Sequence, residues 1–380
     1  MTQPNHRLAQ VLREADMPKK ALARAVNARG AANDEDLNTD HSLVTKWLAG
    51  VQPRGSKPRY VAEVLSAQVG RTLTPEDLGF TCDVPAIDRA IRYDPGDDDI
   101  AGLLAGVWSA DLEGRPEALD AEIQPAAWRE SARYLLIGQR RTMTAIPTGS
   151  LRVGLSDVAA IRATHDHFAG LDDRYGGGLG RQSLIAFLAR DVVPLLSGTC
   201  ADRTRSILLS TVAESTLLAA WMSYDAGLHG LAQRYFVQAL RLAEEAGDRR
   251  LAGSVLSAMS HQATFLGYYK DAAELARAAV AAIATDGTAT LRAQFHAMEA
   301  RALARTGDPA ACDQAIGDAL RHFEQRRPDD DPLWISYFDD IELAAELGHC
   351  YRDLTAPLPP SSSSPPNPST RTSQCAATSS

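Results

Sequence analysis

Lys20-Ala-Leu-Ala-Arg-Ala-Val26 is followed, after a polar interruption, by His41-Ser-Leu-Val-Thr-Lys-Trp-Leu-Ala-Gly50. Each run is short and helix-forming, and the second is stopped by glycine. In the second run Leu43, Val44, Trp47 and Leu48 share an apolar face, while Ser42, Thr45 and Lys46 share a polar one. Two short helices joined this way form the core of a helix-turn-helix, whose second helix enters the major groove of DNA.

Towards the N-terminus Leu8, Val11 and Leu12 recur at i, i+3, i+4, the period of a first amphipathic helix. Pro18 opens the second helix and Gly30 ends it. Residues 31–40 (AANDEDLNTD) are polar, acidic and longer than a standard turn. Asp40 or Thr39 caps the third helix. Gly50 stops it and Pro53 prevents resumption. A fourth helix is expected from Pro58 to Val69, with Val61, Val64 and Leu65 on one face. Thr74-Pro-Glu-Asp-Leu78 reads as a final capped turn.

This helix order resembles the Cro/C1 (XRE-type) DNA-binding domain. The resemblance rests on Leu22-Ala23, Val44-Thr45-Lys46-Trp47, Gly50 and Gln52-Pro53. It implies that His41–Leu48 is the recognition helix. His41, Ser42, Thr45 and Lys46 then face bases or phosphates, and Arg54, Lys57 and Arg59 meet the backbone. The insertion at 31–40 departs from the pattern, and its Asp34-Glu35-Asp36 must point away from phosphate.

The net charge of −9 looks wrong for a DNA binder, but its distribution matters more than its sum. Residues 1–80 carry eleven Lys/Arg against nine Asp/Glu, so the remaining chain is acidic. Between Thr39 and Tyr60 the charged residues are Lys46, Arg54, Lys57 and Arg59 against Asp40 alone. A weakly basic head on an acidic body suits one small DNA-touching module and excludes a protein that coats nucleic acid. The five cysteines are scattered without a CxxC pair, which indicates neither a disulfide framework nor a zinc site. No apolar run of membrane-spanning length and no signal-peptide stretch is evident. A cytoplasmic, nucleoid-associated protein with reduced thiols is expected.

Asp94-Pro-Gly-Asp-Asp-Asp98 reads as a hinge, and residues 81–150 as a linker or mixed region. Within it Ile100–Trp108 and Ala127–Leu136 have mixed period. Pro147-Thr-Gly-Ser150 is a second break, and Leu151–Phe168 then reads as a helix. Two features tempt over-reading. His165-Asp166-His167 lacks metal-ligand geometry, because residues two apart on a helix do not share a face. Gly176-Gly-Gly-Leu-Gly180 lacks the preceding strand and GK[ST] ending of a phosphate loop, so a turn between helices is expected.

Residues 213–324 hold a 40-residue echo. Gly227, Gly267 and Gly307 are 40 apart. Each is preceded by a small residue (Ala220, Ser260, Ala300) and followed at fixed offsets by Ala232, Ala272, Cys312, by Phe236, Ala276, Ile316, and by Ala239, Ala279, Ala319. Small residues at such offsets let antiparallel helices approach closely. The echo resembles the tetratricopeptide (TPR) pattern with longer loops, and Leu347-Gly348-His-Cys-Tyr351 matches the first-helix signature of a further unit. The expected architecture is therefore all-α: a Cro/C1-type helix-turn-helix domain at 1–80, a TPR-like α-solenoid at 151–354 and a disordered Ser/Pro-rich tail at 355–380. In TPR register a partner groove is lined by Glu214, Trp221 and Tyr224, then Ser257, His261 and Thr264, then Gln294 and Arg301, with Arg305 at its edge. Aromatics, a histidine and an arginine there suit a peptide or acidic partner, with packing against the next helix the competing reading for any one of them.

With both ends in view, the chain to about Leu354 resembles actinobacterial regulators that join an XRE-type head to a TPR-like body, the NsdA-like family. The resemblance is carried by Val44-Thr-Lys-Trp-Leu48 with Gln52-Pro-Arg-Gly55, Leu171-Asp-Asp-Arg-Tyr-Gly-Gly177, Trp221-Met-Ser-Tyr-Asp-Ala-Gly227, Ala232-Gln-Arg-Tyr-Phe236 and Trp334-Ile-Ser-Tyr-Phe338. It implies a transcriptional regulator, often a repressor of development or secondary metabolism. One head makes too few contacts to double-stranded DNA for high specificity, so a homodimer reading two half-sites is expected. The competing reading is a scaffold or anti-activator without DNA binding. No nucleophile–base pair, metal cluster or phosphate loop stands out, so no catalytic residue, metal or cofactor is expected.

Overall fold

A computed structural model describes residues 4–32, 35–53, 56–71, 73, 75, 77–80, 85–93, 99–137 and 151–355. The described residues are helical, with one isolated β-bridge between Arg152 and Thr199. The chain divides into two compact units, residues 1–85 and 86–380.

The first unit holds α1 (His6–Glu14), α2 (Lys19–Ala31), α3 (His41–Leu48) and α4 (Lys57–Val69). Their inward faces supply one core of Leu8, Val11, Leu22, Val26, Val44, Trp47, Tyr60, Val61 and Leu65, closed by Leu37, Leu78 and Phe80. Asn5 ties both ends together: its side chain accepts from the Leu8 N–H at 3.0 Å and donates to the Leu78 carbonyl at 2.9 Å. Gly30 does not terminate α2. It lies inside the last turn, where a Cβ would meet the Leu37 side chain at 2.6 Å. The glycine thus makes room for the one large apolar residue of the insertion, Leu37, to enter the core.

The second unit begins with α5 (Ala86–Ala90), α6 (Ile100–Leu112), α7 (Pro116–Leu119) and α8 (Pro125–Ile137). Then come α9 (Leu155–Tyr175), α10 (Gly177–Phe187), a π-helical turn (Leu188–Val192) and α11 (Val193–Leu196). Three helix pairs follow: α12 (Asp202–Asp225) with α13 (His229–Ala246), α14 (Arg249–Phe265) with α15 (Tyr269–Ala282), and α16 (Ala289–Leu303) with α17 (Pro309–Glu324). Two 3₁₀ turns lead into α18 (Asp340–Thr355).

The 40-residue echo is these three pairs. Gly227, Gly267 and Gly307 form the connections at φ of 77°, 89° and 82°, a left-handed backbone that side chains resist. Ala220, Ser260 and Ala300 are fully buried, as are Ala232, Ala272 and Cys312. They are where the paired helices touch: the Ser260 hydroxyl donates to the Ala272 carbonyl at 2.8 Å, and the Cys312 thiol to the Ala300 carbonyl at 3.4 Å.

Residues 86–137 belong to this unit and do not behave as a linker. Helix α6 is buried on most sides, which explains its lack of period. Buried Arg234 of α13 donates to the carbonyls of Ile87, Glu122 and Gly230 at 2.8–3.0 Å, and Gln238 donates to that of Ala90 at 2.8 Å. Backbone approach is closest at Gly230, where a Cβ would sit 1.6 Å from the Ala121 carbonyl oxygen. Helix α8 lies on α15, with Trp128 edge-on to Tyr268 at 5.1 Å and Arg129 paired with Asp271 at 2.7 Å. At the centre Arg181 of α10 grips Asp111 of α6 through two bonds of 2.7 and 2.9 Å, and the Tyr235 hydroxyl donates to the same carboxylate at 2.7 Å.

Other expectations shift. The helix read over 151–168 starts at Leu155, because Val153 and Thr199 bond across the bridge, and runs on to Tyr175. Only Gly176 turns the chain, at φ 74°, and Gly177–Gly180 form the first turn of α10. Helix α12 is the one described helix long and apolar enough to cross a membrane, although no such run stood out in the sequence. It is a core helix packed among α9, α10 and α13. The readings at 94–98, 147–150 and 356–380 lie outside the described residues.

Asp172 near the end of α9 has a buried carboxylate oxygen with no hydrogen-bond partner. Burial, then Asp225 and Asp173, push its pKa up to about 6. A carboxyl with a raised folded-state pKa stabilises the fold at acid pH and loses that contribution as pH rises through 6. Asp172→Asn is therefore expected to raise the melting temperature at pH 8 and to change it little at pH 4. After discounting for its partial exposure, the gain is on the order of 1 kcal/mol. Equal effects at the two pH values, measured by thermal denaturation, would contradict this assignment.

Candidate functional site

Helix α3 presents the face expected of it. His41, Ser42, Thr45 and Lys46 are exposed, Val44 and Trp47 are buried, and Leu43 and Leu48 are half-buried. Trp47 is core, edge-on to Phe80 at 6.1 Å. Asp40 rather than Thr39 is the cap: its carboxylate accepts from the Leu43 N–H at 2.8 Å and from the Ser42 hydroxyl at 2.8 Å. These donors hold its carboxyl below the ordinary range. Thr45 donates to the His41 carbonyl at 2.9 Å and accepts from Lys19 Nζ at 3.3 Å.

The 31–40 insertion folds back on the unit. Asn27 clamps the Thr39 backbone, accepting from its N–H at 2.8 Å and donating to its carbonyl at 2.9 Å. Leu37 is buried. Glu35 turns inward and accepts from the hydroxyls of Ser56 and of Tyr60, the latter at 3.0 Å. The Ser56 bond above all keeps its carboxyl ionised below the usual range. The acid at the centre of the insertion is thereby directed at hydroxyls within its own unit. Asp36 is exposed, and Asp34 lies outside the described residues.

Of the expected backbone-contacting residues, Arg54 lies outside the described residues. Lys57 is half-buried at the start of α4. Arg59 is exposed but paired with Glu63 at 3.0 Å, and Glu63 also binds Arg29 at 2.9 Å. One acid thus offsets two guanidiniums on the α2/α4 side. Sequence reasoning missed Lys19, Lys20 and Arg24, which are exposed on α2. Helix α2 packs against α3, and Lys19 reaches Thr45. The signal was there: a Lys-Lys pair directly after Pro18 marks a cationic helix start that pattern reading spent on the helix boundary.

Most residues expected along a groove in the second unit have partners in their own chain, whereas the buried Thr264 hydroxyl has no hydrogen-bond partner. Buried Glu214 binds Arg162 of α9. Trp221 packs edge-on against Tyr224, Phe236 and His261 at 5.4–5.6 Å, and Tyr224 against Phe265 at 5.3 Å. Ser257 donates to Gln294 at 2.9 Å inside the unit. Arg301 pairs with buried Glu346 of α18, and Arg305 lies 5.6 Å from the Tyr269 ring centre. Burial, then Arg301 and His349, depress the His261 pKa to about 4, so it is neutral at physiological pH and offers no cation to an acidic partner. An open groove through all these positions is therefore not what the structure places there: helices α9 and α18 supply partners at its two ends. His165 is half-buried 3.4 Å from the Ser215 hydroxyl, while His167 is exposed. Among the described residues no His/Cys/Asp/Glu group is arranged to hold a metal ion.

Residues 8–81 match the family described as the SP15 N-terminal domain, a match that begins within α1 and includes α2, α3 and α4. No curated protein and no solved structure matches the chain.

Proposed function

We propose that the chain is a DNA-binding transcriptional regulator, with an XRE-like first unit that reads duplex DNA through α3 and a TPR-like second unit that serves dimerisation or partner sensing. The observation that carries the reading is the exposed His41–Ser42–Thr45–Lys46 edge on a short helix whose apolar side is seated in a closed core. Short polar side chains with one lysine can reach base edges, and Lys19, Lys20 and Arg24 add positive charge on α2, against which α3 packs. A repressor acting as a dimer on two half-sites fits one small module per chain, because a single α3 makes too few base contacts for high specificity.

Selection of bound sequences from a random duplex pool tests this. The full chain is expected to enrich a discrete, two-fold-related sequence, and a chain lacking residues 1–85 to enrich none. The pairing of Arg29 and Arg59 with Glu63 favours a second reading, a scaffold or anti-activator working by protein contacts alone. Enrichment of no sequence by the full chain at low salt would decide for that reading.

A further inference from the structure

We propose that Cys312 and Cys350 are a redox pair, which peroxide joins into a disulfide that clamps α18 onto the helix pairs. The inference concerns the second unit and does not rest on DNA binding.

Cys312 stands on α17 and Cys350 on α18, 38 positions further along the chain. Both are free thiols, and both are 0% exposed. Their side chains meet in a thiol–thiol hydrogen bond. Cys312 also donates to the Ala300 carbonyl of α16 at 3.4 Å, so the pair sits where three helices join. Packing accounts for a small residue at 312 but not for a thiol aimed at a second thiol. Ala232 and Ala272 fill the corresponding positions of the earlier repeats, fully buried and without sulfur. No CxxC spacing announces the pair in the sequence; α18 creates it by packing on α16 and α17.

The hydrogen bond from Cys350 draws the Cys312 thiol below its ordinary range against the effect of burial. The same bond, and then burial, push Cys350 up. Cys312 is therefore the thiolate that attacks first. Its sulfur takes one oxygen as the peroxide O–O bond breaks, and the departing hydroxide collects the thiol proton to give water. The resulting sulfenic acid is then attacked by Cys350: the S–S bond forms, the S–O bond breaks and a second water leaves. Two thiols and one peroxide become one disulfide and two waters, and a small dithiol reverses the change by exchange. Because both sulfurs are covered, peroxide reaches them as α18 lifts from α16 and α17. The bridge removes that motion by tying residue 350 to residue 312. Clamped, α18 keeps its buried Glu346 against Arg301 of α16.

Treating the reduced full chain with hydrogen peroxide under native conditions, followed by tryptic mapping without reductant, tests this. The expected product joins residues 306–321 to residues 327–352, is two hydrogens lighter than the separate peptides, and is lost on adding dithiothreitol. Amide exchange across α18 is expected to slow at least about tenfold in the bridged chain. In peroxide-treated Cys312→Ala it is expected to keep the reduced rate. Alanine is the residue of the other two repeats at this position, so that variant is expected to fold; Cys350→Ser reads the same loss from the other side. Four results would each overturn the proposal: both thiols recovered unlinked, linkage to Cys82, Cys200 or Cys375 instead, bridging only in urea, or α18 exchange unchanged by the bridge.

Discussion

Replacing Asp111 by alanine is expected to destabilise the second unit by about 3–5 kcal/mol, the usual cost of stripping one partner from a buried ion pair. Asp111 is 1% exposed and serves two donors, the Arg181 guanidinium and the Tyr235 hydroxyl. Without it a guanidinium that is 8% exposed keeps its charge with only a 3.4 Å contact to the Ser223 hydroxyl in hand. The buried Tyr235 hydroxyl loses its acceptor as well. Four of the five tryptophans lie in this unit, so urea unfolding followed by fluorescence reports chiefly on it. A midpoint shift equivalent to less than about 1 kcal/mol would show that the pair is replaceable by water. The double change Asp111→Leu with Arg181→Met is expected to recover much of the loss, because an apolar pair of similar volume carries no desolvation cost. The raised pKa of Tyr235, caused first by burial and then by Asp111, keeps its hydroxyl protonated and donating throughout.

The second large effect concerns DNA. The triple change Ser42→Ala, Thr45→Ala and Lys46→Ala is expected to lower affinity for a selected site by about 100-fold and to flatten discrimination against mismatched sites. Lost base and phosphate contacts at about 1–3 kcal/mol each reach that figure without unfolding the domain. All three side chains are exposed, and α3 keeps its Asp40 cap bond to Leu43 and its buried Val44 and Trp47. Lys46→Ala alone is expected to reduce the slope of log affinity against log salt by about 0.9, the signature of one phosphate contact. Fluorescence anisotropy at several salt concentrations reads both quantities. A triple variant with wild-type affinity and wild-type discrimination would remove α3 as the reading helix.

Much of the fold was legible because it is punctuated. Gly50, Gly227, Gly267 and Gly307 each take a positive φ, and the apolar periods between such stops are those of half-buried helices. The region over 81–150 was not legible, for a physical reason. Helix α6 is covered on most sides and so has no polar face to reveal its period, and its anchors look like surface residues. Arg181, Arg234 and Gln238 find their partners 70 to 148 residues away, a separation that no local pattern encodes. The candidate DNA edge was readable from α3 alone, whereas Lys19 joined it only once α2 was seen packed against α3. The groove residues were placed on first helices as the repeat register requires. Their polar ends, however, are taken up by Arg162 and Glu346, which belong to helices outside the three repeats.

The packing of residues 86–137 on α13 and α15 has a consequence at the ribosome. The Ile87 carbonyl waits for Arg234, the Ala90 carbonyl for Gln238 and Arg129 for Asp271, all more than 140 residues downstream. At synthesis rates of about 5–20 residues per second that interval lasts on the order of ten seconds. Through it Trp128 of α8 lacks Tyr268, the ring it meets edge-on at 5.1 Å. Nascent chains stalled before residue 268 are therefore expected to leave this face of α8 open, and it is covered only once α15 has left the exit tunnel.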